Sequence, residues 1–255
     1  MKLSAFDEKV VEHILQSSVP GKHAARSALR HLERAWKLAD EMPELAIFLA
    51  ITAEEESATA LFHVLKRHRY KGFRALNGRK HVHKTALHPF LLAVGKLFAD
   101  FKNHYSPLLE FNSELSQDGV ERLRLRLTVP DGTGKRLWAY TMPPLEFTVL
   151  VNDVIHRFEP ELSRLATEKN AASALTYVKK LSNRRNLAIY AAPNGIPHAD
   201  ESVEPFLIYR KAVVFSHLLA ILLIDPYPQQ QAFVQQALTA FLSMLQAMPD
   251  GCCEA

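Results

Sequence analysis

Cysteine is all but missing: Cys252 and Cys253 stand side by side near the C-terminus and no others occur. A disulfide framework and a cysteine-based metal site are both excluded, and a reducing, cytoplasmic setting is expected. Glycine is scarce as well, at nine residues, and only Gly132-Thr133-Gly134 brings two of them close together. A phosphate-cradling loop, a nucleophile elbow and a dinucleotide fingerprint are therefore absent. The most apolar run, Ala212 to Ile224, is 13 residues and contains Ser216 and His217, short of the roughly 20 that a membrane span needs. The opening MKLSAFDEKVVEHIL has no uninterrupted apolar core of the kind a secretory signal carries. No membrane partner is expected.

What remains is an ordinary globular composition with helical patterning. Ala24, Ala25, Ala28, Leu29, Leu32, Ala35, Trp36 and Ala39 follow helical spacing, with Arg26, Arg30, Glu33, Arg34 and Lys37 on the other face. Pro43 interrupts, and a second helix is predicted from Glu44 to about Arg69, then a third from Pro89 to about His104. Leu123, Leu125, Leu127 and Val129 alternate with Arg122, Arg124, Arg126 and Thr128. The turn Asp131-Gly132-Thr133-Gly134 follows, then Arg136 to Met142, which together predict a β-hairpin. Helical patterns resume at Leu145–Phe158, Glu161–Lys169, Ala171–Ala192, Glu204–Ile224 and Gln229–Met248, with a stop at Pro193-Asn194-Gly195-Ile196-Pro197. The expected fold is mainly α, a helical bundle with additional C-terminal helices and a β-hairpin inserted near 120–142. It is read as one domain over 1–255, with a flexible tail at 249–255; a split near Ser116–Gly119 is the alternative.

Charge is concentrated in one place. Residues 66–84 carry eight cations and no acid, leaving the rest of the chain at −4 out of an overall +4. Such a tract suits a polyanion, so Lys66, Arg67, Arg69, Arg74, Arg79 and Lys80 are candidate RNA contacts, with Tyr70 and Phe73 available to stack on bases. The competing reading is a solvated loop between helices. Arg122, Arg124 and Arg126 would extend this surface, or simply form the polar face of a half-buried strand.

Two charges interrupt apolar stripes. On the second helix Glu54 fills a gap between Ala50 and Ala58 in a stripe that includes Ile47, Leu61 and Leu65. A carboxylate there demands a partner. Arg185 interrupts the stripe Ala174, Val178, Leu181, Ala188, Ala192 in the same way. The expectation is that Glu54 and Arg185 meet inside the bundle, as a structural ion pair or as part of a site.

Asn183-Arg184-Arg185-Asn186-Leu187-Ala188-Ile189-Tyr190-Ala191 resembles the signature of HEPN domains, which are helical bundles marked by Arg, a polar residue and a following His. Ala46-Ile47-Phe48-Leu49-Ala50-Ile51-Thr52-Ala53-Glu54-Glu55 resembles the second helix of their AbiV-like abortive-infection branch. The likeness covers about residues 24–70 and 171–192. It implies an RNA-binding, metal-independent endoribonuclease of a phage-defence or toxin type, working as a homodimer without a cofactor and with a cognate antitoxin as a further partner. It also implies Arg185 as the electrostatic residue, Asn186 as the orienting residue and Glu54 or Glu55 as the carboxylate holding Arg185. Tyr190 stands where that pattern carries His. Arg185 and Tyr190 lie roughly 140° apart on a helix, so His156 and His217 on flanking helices are the other candidates for the proton-transfer residue.

The alternative from another class is a non-catalytic interaction or scaffold module in which Glu54 and Arg185 only hold the bundle together. Metal chemistry has a weaker basis. Asp153-Val154-Ile155-His156 offers one Asp-x-x-His turn that could join Glu54 to Glu56, and no second such turn exists. His81-Val82-His83 sits in a cationic loop that disfavours a cation. No metal is expected.

Overall fold

The structure, a computed structural model, describes every residue except 18–20, 101–105, 115, 117, 131–135, 147–148, 152–153, 157, 166, 192–194, 200–201 and 249–255. The turn at 131–134, the stop at 193–194 and the C-terminal tail with its two cysteines lie outside the described residues. The chain is mainly helical with a small antiparallel sheet.

The first helix, α1 (Ala5–Gln16), was not expected from the sequence. It starts where the Ser4 hydroxyl accepts from Asp7 N at 3.1 Å and the Asp7 carboxylate accepts from Ser4 N at 2.9 Å, a reciprocal cap that satisfies two backbone donors. α2 (Lys22–Leu38) and α3 (Pro43–Arg67) follow the predicted faces, with Pro43 in the first turn of α3, where its missing N–H costs nothing. Next come α4 (His81–Thr85) and α5 (Leu87–Asp100). After the sheet the chain continues as α6 (Glu159–Leu165), α7 (Glu168–Ile189), α8 (Val203–Ile224) and α9 (Ala232–Gln246).

The hairpin strands are β2 (Arg122–Pro130) and β3 (Arg136–Tyr140), and a further strand, β1 (Ser106–Asn112), pairs antiparallel with β2, so that Leu109 faces Leu125 and Phe111 faces Leu123. Residues 145–158, expected to be helical, instead hold β4 (Val149–Val151) and β5 (Val154–His156). Their β-branched apolar residues suit a strand as well as a helix, and over so short a run the period does not separate the two. The arginine face of β2 is also not uniform. Arg122 pairs with Asp118 and Arg126 pairs with Glu110 at 2.8 Å and lies 4.1 Å from the Trp138 ring centroid. Arg124, by contrast, is 1% exposed and donates to Ser116 Oγ at 2.6 Å. These arginines are engaged within the protein, and Arg124 is closed off from the surface.

α8 is longer than the 13-residue run that marked it in the sequence, and by length and composition alone it could cross a membrane; 61% of its most apolar window is buried inside the bundle. Arg210 and His217 lie within it, both buried. It is apolar around its whole circumference because it packs on α1, α2, α3 and α5.

The core falls into two apolar clusters. One gathers Ala35, Ala46, Ile47, Ala50, Ile51, Leu181, Ala188, Phe206 and Leu207, at the start of α3 and α8 and the end of α7. The other and larger runs from Val10 of α1 through Ala58 and Leu65 of α3 and Leu218 of α8 to Met244 of α9, and takes in Leu123 of β2. Just past the end of the first cluster at Ile51, α3 carries Glu54 and Ser57, both fully buried.

Backbone geometry constrains the entry to α2. Gly21 has φ +95°, and a Cβ there would stand 2.9 Å from His63 Cβ and 3.1 Å from the Ala60 carbonyl oxygen. Both the conformation and the space are closed to a side chain. Gly21→Ala is expected to destabilise the fold by more than about 1 kcal/mol, read from urea denaturation; an unchanged midpoint would show that the α2–α3 approach is looser than this.

Candidate functional site

Glu54 and Glu55 are consecutive on α3, so their side chains leave the helix about 100° apart. Both are buried, and they serve different neighbours.

Glu54 points into the bundle. Its carboxylate accepts from Arg210 of α8 and from the Tyr177 hydroxyl of α7 at 3.1 and 3.3 Å, and Arg210 Nη1 also donates to the Tyr177 oxygen at 2.6 Å. The expected partner, Arg185, is not part of this cluster. The arithmetic that located Glu54 also locates Arg210, which stands three residues after Leu207 and four before Val214 in a buried stripe. Burial pushes the Glu54 carboxyl above its ordinary range although Arg210 pulls it down. Burial works against the charge of Arg210, and Glu54 and Tyr177 together outweigh it, holding the guanidinium above its ordinary range. The ion pair is the state the geometry supports, since a neutral Glu54 would leave a buried guanidinium without a counter-charge. Burial, and then the Glu54 carboxylate, hold the Tyr177 phenol well above its usual range.

One turn along α3, the Ser57 hydroxyl contacts His217 Nδ1 at 2.8 Å, and His217 lies 6.5 Å, centroid to centroid, from the ring of His88, whose Nε2 is 2.8 Å from the Tyr209 oxygen. Among the described residues His217 Nε2 and His88 Nδ1, both buried, have no hydrogen-bond partner. Burial is the main reason both rings stay neutral: His217 falls to about 3, helped by His88 and Arg210, and His88 to about 4, helped by Arg210. His217 thus belongs to the core and not beside Arg185.

Glu55 turns toward α4. Its Oε1 lies 2.8 Å from His81 Nδ1 and its Oε2 accepts from Lys84 Nζ at 2.8 Å. Arg185 joins from α7, its Nη1 3.7 Å from Glu55 Oε1 and 3.2 and 3.3 Å from the two ring nitrogens of His81. Of the two carboxylates named for Arg185, Glu55 is the one that reaches it. The His81 side chain is 49% exposed and that of Arg185 is 26% exposed, whereas Lys84 is largely covered. A carboxylate can only accept, so in the contact with Glu55 it is His81 Nδ1 that donates. His81 was missed because it closes a loop and follows no periodic pattern; the turn of α4 alone carries it to Glu55.

The other named residues stand apart. Tyr190 is 65% exposed at the end of α7 and Asn186 is half-buried; among the described residues neither contributes a hydrogen bond to the Glu55 cluster. His156 lies on a strand, and Asp153 is outside the described residues. Among the described residues no group of three or more His, Cys, Asp or Glu is placed to hold a metal.

The basic tract forms a surface that leads to His81. Lys66, Arg69, Arg74, Arg79 and Lys80 are exposed; Arg67 pairs with Asp225 at 3.1 Å. Glutamines of the α8–α9 region fix the loop: Gln230 Nε2 donates to the carbonyls of His68 and Arg69, and Gln235 accepts from Lys71 N at 2.7 Å. Tyr70 does not serve as a stacking ring. It is fully buried, and its hydroxyl oxygen accepts from Gln231 N at 3.0 Å. Phe73 is half-buried with Arg74 6.0 Å from its ring centroid.

The chain matches no family model, no curated protein and no solved structure.

Two predictions follow from the interior. Arg210→Ala strands Glu54 and is expected to cost about 3–5 kcal/mol, while the double change Glu54→Leu with Arg210→Met recovers at least half of that in urea denaturation; a double variant as damaged as the sum of its single changes would show that the pair is not coupled. The second concerns pH. His88 and His217 bind no proton when folded and do so below about 6.5 when unfolded, so their contribution is whole above that value. It is lost as pH falls toward 4 and 3, at up to about 1.4 kcal/mol per pH unit for each ring. His217→Asn should therefore keep more of its pH 7.5 stability at pH 5 than the wild type keeps, and equal losses would contradict the assignment.

Proposed function

We propose that the chain binds RNA along the 66–80 surface and cleaves it, without metal, at the Glu55–His81–Arg185 cluster. The observation that carries this reading is the half-exposed His81, held by a buried carboxylate and set against Arg185 at the end of a cationic surface. In such a reaction the 2′-oxygen attacks the adjacent phosphorus and its proton passes to His81 Nε2. The 5′ P–O bond then breaks and the proton is returned to the leaving oxygen, giving a 2′,3′-cyclic phosphate and a 5′-hydroxyl. Arg185 neutralises the charge that builds on the phosphoryl oxygens. Glu55 fixes the tautomer of His81 and holds the guanidinium in place. Asn186 and Tyr190 have no role in this chemistry.

The HEPN-like, AbiV-like reading, with a homodimer, a cognate antitoxin and a phage-defence or toxin setting in the cytoplasm, is part of the same proposal. Its support is the likeness around Ala46–Glu55 and Asn183–Ala191 together with a helical bundle that brings Arg185 to one of the two carboxylates. The non-catalytic alternative has its own observation. The interior Glu54–Tyr177–Arg210 cluster is closed and buried, which is how a bundle-fixing ion pair is built.

Cleavage of labelled RNA in EDTA separates the two. Wild type should release cyclic-phosphate ends, and His81→Gln should lower the rate by about 10²–10⁴-fold with the melting temperature kept. Arg185→Ala should be as slow, while Tyr190→Phe should stay within about two-fold of wild type, a change too small to be a lost proton-transfer group. Equal rates for wild type and His81→Gln, or no cleavage of any RNA offered, would leave the scaffold reading in its place.

A further inference from the structure

The outer face of α2 carries a row of like charges that helix stability alone disfavours. Lys22, Arg26, Arg30 and Arg34 follow one another at four-residue steps, about 6 Å apart along the axis, so each cation repels the next. The one acid on the helix, Glu33, is bonded to Lys37 at 2.6 Å, and Arg34 acts on it from beyond ion-pair distance. The first turn of α2 holds no acid and no side-chain cap, so the row begins at the positive end of the helix dipole. Arg30 and Arg34 are exposed, and among the described residues neither makes an ion pair.

The row borders a groove of 320 Å³ lined by His23, Arg26, Ser27, Arg30, His31 and Arg34, with no carboxylate among them. Glu56 of α3 acts on His31 and pairs with neither exposed arginine. Arg26 is anchored through Nη2 on the Leu15 carbonyl, but among the described residues its buried Nε and the buried His31 Nδ1 have no hydrogen-bond partner. Every exposed residue of α2 is His, Arg, Glu or Lys, so the face offers no apolar anchor for a lipid surface. The groove also adjoins the 66–80 surface across α3. Gly21, at the start of α2, lies against Ala60 and His63, while a Cβ on Gly78 would stand 3.8 Å from the Thr59 methyl. Thr59 and His63 are about one turn apart, so a single turn of α3 stands between the start of α2 and the loop that carries Arg79 and Lys80.

We propose that this face of α2 is a second row of phosphate contacts, onto which a single RNA strand held by the 66–80 surface continues across α3. The inference rests on the RNA reading of that surface and extends its footprint to a helix outside it. Arg30 and Arg34 hold neighbouring phosphates, and Arg26 and His31 line the groove beneath them. Such contacts position the strand; they leave the chemistry to the cluster at His81.

The probe is a fluorescein-labelled 2′-O-methyl oligouridine of roughly 20 nucleotides, long enough for both surfaces, read by anisotropy in EDTA. Its blocked 2′-oxygen keeps it whole, so binding is measured apart from cleavage. One strand should bind per chain. The double change Arg30→Ala with Arg34→Ala should weaken it about 25-fold at about 0.1 M salt and make the slope of log K against log salt shallower by about 1.4, the share of two phosphates on a single strand. The melting temperature should hold. Arg30→Lys with Arg34→Lys keeps both charges and should keep the slope. Arg79→Ala with Lys80→Ala should weaken the same strand. An affinity and slope unchanged by the α2 pair would overturn the inference and leave the 66–80 reading standing. A response to the α2 pair alone would support the α2 row and count against the 66–80 reading. Two strands per chain would overturn the continuous track, and no binding at all would overturn both. Phosphatidylserine vesicles bound in place of the RNA, and lost with the α2 pair, would overturn it in favour of a membrane contact.

Discussion

The fold turns on one buried ion pair. Glu54 of α3 and Arg210 of α8, with the Tyr177 hydroxyl of α7 between them, form a polar layer that divides the apolar core into two clusters. Each of the three helices contributes one polar group to that layer, and each has apolar residues to either side of it. Sliding α3 or α8 by a turn would carry a charge into hydrocarbon and leave its counter-charge alone. The pair therefore fixes register more than it adds stability, because desolvating two charges consumes much of their attraction. The buried imidazoles of His217 and His88 extend the layer and are kept neutral by the same burial.

That layer frees the next residue for other work. With Glu54 committed to the interior, the 100° step to Glu55 brings a second carboxylate to the edge of the bundle, where α4 and α7 deliver His81, Lys84 and Arg185 to it. Glu54 meets partners from two core helices and is sealed from water; Glu55 organises groups that are partly in water and able to meet a substrate. The tract before α4 adds charge to the approach, and its backbone is tied down by Gln230 and Gln235. Long flexible cations on a fixed loop can follow an irregular polyanion while the cluster at its end stays in place.

Much of this was legible in the residues, and the failures are instructive. Amphipathic spacing marked α2, α3 and α7, because each buries a face whose period appears directly in the chain, and a continuous apolar run marked α8. The spacing also marked Glu54 as a charge in need of a partner, yet not which helix would supply it: periodicity gives the face of a helix and says nothing of its neighbours. Arg210 carried the same signature within a stretch so apolar all round that no stripe stood out. Residues 145–158 looked helical because a few β-branched apolar residues satisfy either period, and tertiary pairing made β4 and β5 of them. Tyr70 looked like a ring for stacking because it sits among cations, but its hydroxyl and its burial tie it to α9. His81 stood out only within His81-Val82-His83, a pair weighed for a metal and not for proton transfer, since its place beside Glu55 depends on how the preceding loop folds.

The claim that two adjacent carboxylates divide structure from chemistry is open to one direct measurement: Glu54→Gln and Glu55→Gln compared side by side for urea stability and for RNA cleavage in EDTA. The account predicts that Glu54→Gln loses several kcal/mol, about 3–5, because Arg210 keeps its buried charge with no counter-charge. Glu55→Gln should lose no more than about half as much, since a glutamine oxygen still accepts from Lys84, and should cut the cleavage rate at least about 100-fold. Equal destabilisation by the two changes, or full cleavage by Glu55→Gln, would contradict it.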